Sequence, residues 1–78
     1  MRYGCCQLSV VPVRAEASDK TEMVTQILFG DVFEIIDQKP KWVKIKNAFD
    51  DYEGWIDANQ FLDINAEQFL SLKNNLLN

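Results

Sequence analysis

Short apolar segments rich in β-branched and aromatic residues recur along this chain, and turn-forming residues separate them. Such spacing is typical of a protein built from short strands joined by tight connections. The segments are Leu8–Arg14, Met23–Phe29, Val32–Asp37, Trp42–Lys46 and Gly54–Asp57. The pattern predicts an all-β fold, a small barrel of five or six short strands.

Turn and breaker residues indicate how these segments connect. Pro12 lacks a backbone donor, so we expect it at an edge or a bulge rather than in a central strand. Gly30 and Asp31 predict a tight reversal, and the segments on either side of it, Met23–Phe29 and Val32–Asp37, are expected to pair as a hairpin.

Alternation identifies the core face of the next segment. Val43 and Ile45 share one side of Trp42–Lys46, so we predict that both face the core. The acidic stretch from Asn47 to Glu53 is a second connection, and residues 58–60 are predicted to form one helical turn.

The tail of the chain changes to a helical period. Asn65 is a suitable N-cap and Gln68 stands at the reciprocal capping-box position. Ala66, Phe69, Leu70, Leu76 and Leu77 are predicted to form one apolar side that packs on something. We therefore divide the chain into a barrel over residues 1–64 and a C-terminal amphipathic helix, or a linker toward a missing domain, over residues 65–78.

Size and charge narrow the possible partners. The chain has 78 residues, enough for one domain, and its net charge is −4 with scattered basic residues, so nucleic acid is not an expected partner. No apolar run has the length of a signal peptide or a membrane span, so we expect a cytoplasmic protein that does not bind membranes. Cys5 and Cys6 are adjacent, which disfavours a disulfide between them, and we interpret both as reduced thiols that fill a first strand.

The absence of histidine removes several kinds of chemistry. The chain has no His, which excludes Ser–His and Cys–His nucleophiles within it, and two adjacent cysteines cannot supply a four-cysteine zinc site. The acids at Asp50, Asp51, Glu53 and Asp57 are more often a solvated face than a catalytic pair. We predict no catalytic residue, no metal and no cofactor in this chain.

Three aromatic residues are the best candidates for binding. Trp42 begins one strand, while Tyr52 and Trp55 bracket the start of the next, so the three rings are predicted to form one surface groove. The alternative is that Trp42 and Trp55 only cap the barrel core, although Tyr52 is less easily explained in that way.

Six motifs follow one another between Val10 and Leu62: Pro12-Val13-Arg14, Val24–Phe29, Gly30-Asp31, Phe33-Glu34-Ile35, Trp42–Ile45 and Gly54-Trp55-Ile56. Their order resembles that of the bacterial SH3-like domain. The stretches from Val11 to Glu16 and from Asp50 to Trp55 are similar to the N-terminal SH3-like domain of NlpC-type cysteine peptidases. The resemblance implies an SH3-like barrel that precedes a catalytic domain. Such enzymes cleave the γ-D-glutamyl to diamino acid bond of murein peptides, often in cytosolic recycling of the cell wall.

The same resemblance implies a role for one loop. In the recycling enzymes a Tyr of the SH3-like domain helps recognise the free N-terminus of the murein peptide, and Tyr52 is the matching position. Asp50 and Asp51 are expected to favour the positive charge of that amine, with Trp55 and Trp42 completing the substrate-binding surface. The expected partners are a murein peptide and the catalytic peptidase domain of the parent protein, and the chain by itself is not expected to be an enzyme.

Two other functions remain open at this point. Many SH3-like domains are cell-wall-binding targeting modules, although those act outside the membrane. A stand-alone interaction protein is the other possibility, in which the helix over residues 66–77 docks on another subunit. Recognition of proline-rich peptides has no support in the sequence.

Overall fold

A computed structural model describes residues 2–18 and 20–77. Within this part of the chain the elements are β1 (Arg2–Cys5), β2 (Val10–Arg14), β3 (Met23–Leu28), β4 (Val32–Lys39), β5 (Trp42–Asn47), β6 (Glu53–Asp57), β7 (Leu62–Ile64) and α1 (Ala66–Leu77). The strands form one antiparallel sheet in the order β3-β2-β6-β5-β4-β1-β7. The structure confirms the small all-β fold with a C-terminal helix, but with seven strands instead of five or six.

The two additional strands are β1 and β7, which pair with each other at one edge of the sheet. β1 also pairs with β4, where Gly4 lies opposite Phe33. A Cβ on Gly4 would lie 2.5 Å from Cε1 of Phe33, so only glycine fits there without a shift of the ring. These strands form because the sheet offers them partners, which is a long-range condition that their short sequences do not reveal.

The predicted hairpin between Met23–Phe29 and Val32–Asp37 is wrong. The turn itself forms, with Gly30 at φ 89° and the Asp31 amide donating to the carbonyl of Leu28 at 3.0 Å. However, β3 pairs with β2, whereas β4 pairs with β1 and β5. Cys6 occupies the corner: its carbonyl accepts from Gly30 at 2.9 Å and its amide donates to Asp31 at 2.8 Å. The backbone at Cys6 therefore lies between β3 and β4 at this turn and keeps the two strands apart.

Pro12 lies in a strand that has neighbours on both sides, β3 and β6, so β2 is not an edge strand. The bulge of β2 lies between Val13 and Arg14, one residue away from Pro12. On the β6 side only Arg14 is paired, with Trp55, so the missing N–H of Pro12 does not interrupt a ladder there.

The main hydrophobic core is enclosed by the strands of the sheet. Val43 and Ile45 are buried as the alternation predicted. They pack in one cluster with Cys6, Val11, Val13, Ile27, Phe33 and Ile56. A smaller cluster under α1 contains Cys5, Val32 and Phe69. The two adjacent cysteines thus face different clusters, and both are free thiols.

Helix α1 begins with the predicted capping box. The Gln68 amide donates to Oδ1 of Asn65 at 2.7 Å, and the Asn65 amide donates to Oε1 of Gln68 at 3.0 Å. Of the predicted apolar side, Phe69 is buried and stacks on Tyr3 with ring centroids 4.2 Å apart, but Ala66 and Leu70 are exposed. The predicted continuous stripe is therefore wrong for those two residues, because among the helix side chains that the structure describes only Phe69 is buried.

Two remaining predictions about the tail have different outcomes. The side chains of Leu76 and Leu77 lie outside the described residues. Residues 58–60 form a turn rather than a helix, closed by the Gln60 amide donating to the carbonyl of Asp57 at 3.2 Å.

Candidate functional site

The register of β5 and β6 places the candidate residues at two ends of one hairpin. Trp42 pairs with Asp57 at one end, and Lys46 pairs with Glu53 at the other, next to the connection that carries Tyr52. Strand geometry puts these ends roughly 13 Å apart. The structure therefore does not bring Trp42 and Tyr52 into one groove, and the binding roles of these residues stay predictions.

The connection over residues 48–52, which we call the acidic loop, is held by its own hydrogen bonds. Two side chains accept from the backbone two residues later: Asn47 Oδ1 from Phe49 at 3.2 Å, and Asp50 Oδ1 from Tyr52 at 3.0 Å. The Asn47 amide donates to the carbonyl of Tyr52 at 2.9 Å, and the Asp51 amide donates to the carbonyl of Asn47 at 2.8 Å. The backbone of the acidic loop is thus fixed from within.

Two further features fix the conformation of the acidic loop. The Ala48 amide donates to the carbonyl of Val32 at 3.1 Å, which anchors the start of the loop on β4. Asp51 has φ 58°, a left-handed conformation that Asp tolerates better than most residues. This residue reverses the chain immediately before Tyr52, so the position of the tyrosine is set by the loop itself.

The acidic loop exposes aromatic and acidic side chains together. Tyr52 is 45% exposed and Phe49 is 65% exposed, while Asp50 and Asp51 are both exposed. Phe49 was not identified from the sequence. The available signal was an aromatic residue in a polar connection, flanked by acids and outside any strand pattern. A structured loop that leaves two rings in water offers contact area at low entropic cost.

A shallow groove of about 130 Å³ continues from Asp51 toward α1. Its floor follows one row across the sheet, in which Tyr3 pairs with Glu34 and Glu34 pairs with Lys46. Lys73 closes the helix side. The groove gives the acidic loop a neighbouring surface with charges of both signs.

Trp55 is not available for binding, because it is only 6% exposed. Its strand neighbours are Arg14 on β2 and Lys44 on β5. The Nζ atom of Lys39 lies 5.1 Å from the centroid of its ring, a cation–π contact that covers it. The alternative interpretation, a tryptophan that caps the barrel, therefore fits the position of Trp55.

Trp42 lies partly buried at the far end of the hairpin and lines a separate cleft of about 220 Å³. We call this the tryptophan cleft. Its walls are Pro12, Arg14, Trp42, Asp57 and Gln60, and neither Tyr52 nor Trp55 lines it.

Little reactive chemistry is visible in the described residues. Within residues 2–18 and 20–77, no group of three or more His, Cys, Asp or Glu side chains is arranged to hold a metal ion. Burial raises the pKa of the Cys6 thiol, which keeps it protonated and poorly nucleophilic near neutral pH. The same part of the chain has no helix with the length and apolar character needed to cross a membrane.

Comparison with known proteins identifies the family. None of the curated proteins searched matches the chain significantly. A family model described as the bacterial dipeptidyl-peptidase SH3 domain matches residues 13–61, which is more than half of the chain and runs from β2 to the turn before β7. An SH3-type domain alone also fits the expectation that this chain is not an enzyme by itself. The chain belongs to the family of bacterial dipeptidyl-peptidase SH3 domains.

Proposed function

We propose that this domain is the non-catalytic SH3-like part of a bacterial cell-wall peptide hydrolase of the NlpC type. In this proposal it shapes the substrate site and helps recognise the free N-terminus of murein stem peptides. The family description, which names bacterial dipeptidyl-peptidases, supports a peptidase context. The resemblance of the stretch from Asp50 to Trp55 to such enzymes supports the choice of substrate.

The observation that carries the proposal is the acidic loop. It holds Tyr52 half-exposed on a backbone fixed by internal hydrogen bonds, with the carboxylates of Asp50 and Asp51 in the two preceding positions. A phenolic oxygen accepts a hydrogen bond from a peptide ammonium, and two nearby carboxylates stabilise the positive charge of that ammonium. An acetylated N-terminus has no charge and keeps only one N–H donor, so it gains much less from this arrangement.

The expected affinity of the loop alone is low. Its groups are exposed to water, and exposed charge pairs contribute about 0.2–1 kcal/mol each. A tight site therefore requires a second surface that excludes water from the amine. The catalytic peptidase domain is the partner we propose for that purpose, and it would also supply the catalytic cysteine together with histidine, a residue type that this sequence does not contain. A cytoplasmic location is part of the same proposal.

An amide-shift titration tests the proposal. The ¹⁵N-labelled domain is titrated with L-Ala-γ-D-Glu-diaminopimelate and, separately, with the N-acetylated form of that peptide. We expect shifts at residues 48–52 with the free amine only. Tyr52→Phe removes one hydrogen bond and should weaken binding about two- to tenfold.

Charge-neutral variants separate electrostatics from loop structure. Asp50→Asn and Asp51→Asn remove the carboxylates but keep a side-chain oxygen, and Asn also tolerates the positive φ at position 51. We expect each variant to lower the affinity for the free amine by a few fold. Glu16→Gln, at an exposed position in another connection, is the matched control. Equal shifts with the acetylated peptide, or no effect of Tyr52→Phe, would count against the proposal.

A further inference from the structure

The tryptophan cleft is a second candidate site, and the proposed recognition of peptide amines does not use it. It lies at the Trp42–Asp57 end of the hairpin, opposite the acidic loop. Its five residues come from β2, β5, β6 and the turn that follows β6. With a volume of about 220 Å³, it is smaller than the roughly 300–1,000 Å³ of sites for drug-sized ligands. It therefore suits a single ring-sized unit.

The polar groups of the cleft keep unused hydrogen-bonding capacity. Nη1 of Arg14 donates to the carbonyl of Thr21 at 3.3 Å, which leaves further donors on a guanidinium that has about five N–H groups. Oδ1 of Asp57 accepts from the Asn59 amide at 2.8 Å, and the second carboxylate oxygen remains. In the part of the chain that the structure describes, no ion pair joins Arg14 to Asp57. A ligand that reaches both groups finds a donor on one side and an acceptor on the other.

The charges of the cleft disfavour a ligand with a net charge of either sign. Arg14 and Asp57 cancel, so an anion gains from one and is repelled by the other, and the same holds for a cation. The ligand must also donate to the carboxylate and accept from the guanidinium. Hydroxyl groups do both. A proline-rich segment has carbonyl acceptors but few N–H donors, so it would leave Asp57 unsatisfied.

The apolar walls complete the requirement. The indole of Trp42 is partly exposed, and Pro12 lines the same cleft. A flat apolar C–H surface packs on an aromatic ring through dispersion and burial. A sugar ring carries such a C–H face together with hydroxyls at its edge.

We propose that the tryptophan cleft binds one ring of a neutral saccharide. Trp42 supplies the stacking surface, while Arg14, Asp57 and Gln60 hydrogen-bond the ring hydroxyls. The inference is independent of peptide recognition by the acidic loop, because the two surfaces share no residue.

Titration with two neutral oligosaccharides, chitotriose and cellotriose, tests the inference. The indole N–H signals of the two tryptophans are followed by NMR and assigned with Trp42→Phe. We expect at least one saccharide to shift the Trp42 signal and the amides around Asp57 with millimolar affinity, while the Trp55 indole and residues 48–52 stay unchanged. Trp42→Ala should abolish the shifts.

Two conservative variants distinguish a loss of saccharide binding from a loss of folding. Asp57→Asn keeps the oxygen that caps the Asn59 amide but removes the charge, and Arg14→Lys keeps the charge but loses the planar set of donors. Each should weaken saccharide binding about fivefold or more. Tyr52→Phe, at the other end of the hairpin, should leave it unchanged.

Three outcomes would overturn the inference. The first is the absence of any shift with either saccharide at a concentration about fifty times the expected millimolar dissociation constant. The second is a dissociation constant that stays at the wild-type value in both Asp57→Asn and Arg14→Lys. The third is saturable binding of a proline-rich decapeptide at Trp42 in place of the sugars.

Discussion

The two ends of the β5–β6 hairpin are built in different ways. The acidic loop takes its shape mainly from hydrogen bonds among residues 47–52, which are at most five positions apart, and from one bond of the Ala48 amide to β4. The tryptophan cleft takes its shape from β2, β5, β6 and a turn, with Pro12 and Gln60 far apart in the chain. One end is therefore determined locally, and the other depends on the pairing of the whole sheet.

This difference determines what each end exposes. The acidic loop leaves Phe49 and Tyr52 in water, since no strand crosses over them. At the cleft end Trp42 is partly buried, and Pro12 and Arg14 of β2 line the same cleft. We expect perturbations of sheet pairing to affect the cleft first, and perturbations of local hydrogen bonds to affect the loop alone.

Gly54→Ala should have the largest effect, because it disturbs the contact between β6 and β2. A Cβ at this position would collide with Cγ1 of Val13 and lie 3.0 Å from the carbonyl oxygen of Arg14. Overpacking of this kind costs about 1–3 kcal/mol of unfolding free energy. Urea denaturation followed by tryptophan fluorescence measures the loss.

The same variant separates the two ends. Amide shifts should be larger around Arg14 and Asp57 than at residues 49–52. Ser71→Ala, on an exposed part of α1, is the control and should change stability by less than about 0.5 kcal/mol. Wild-type stability in Gly54→Ala would show that β6 does not need its close approach to β2.

Asn47→Ala should break only the loop end. Its buried side chain holds the Phe49 amide, so the substitution loses one hydrogen bond, worth about 1 kcal/mol. Hydrogen exchange at residues 49–52 should accelerate, while the amides around the tryptophan cleft keep their wild-type protection. Asn59→Ala, at an exposed position in the turn beside the cleft, is the matched control and should leave residues 49–52 unaffected. Faster exchange at both ends would contradict the local origin of the loop.

The features that sequence reasoning predicted correctly are those with short-range causes. The capping box of Asn65 and Gln68 spans four residues, and the burial of Val43 and Ile45 follows from strand alternation. In both cases the deciding contacts, or the direction of the side chain, are fixed within one element. The family match to residues 13–61 also confirms the SH3-like assignment that rested on the order of such short motifs.

The features that sequence reasoning missed depend on pairing between strands that are distant in the chain. The turn at Gly30 was correctly placed, but its two strands pair elsewhere because the backbone of Cys6 occupies the corner. The separation of Trp42 from Tyr52 follows from the β5–β6 register, which aromatic spacing along the chain does not reveal. The candidate site was therefore predictable as a loop, but not as two surfaces.

The coverage of Trp55 provides the finest test of the difference between the ends. Lys39→Ala removes the ammonium 5.1 Å from the ring centroid, and we expect a loss of about 0.5–1 kcal/mol of unfolding free energy. Acrylamide quenching of Trp55, measured in a Trp42→Phe background, should increase. Lys41→Ala in the adjoining turn is the matched control, since its side chain is exposed and its backbone carbonyl still accepts from Ala58. Equal quenching of Trp55 in Lys39→Ala and Lys41→Ala would mean that the sheet alone buries this ring. The ammonium of Lys39 would then contribute nothing to covering Trp55, which lies between the acidic loop and the tryptophan cleft.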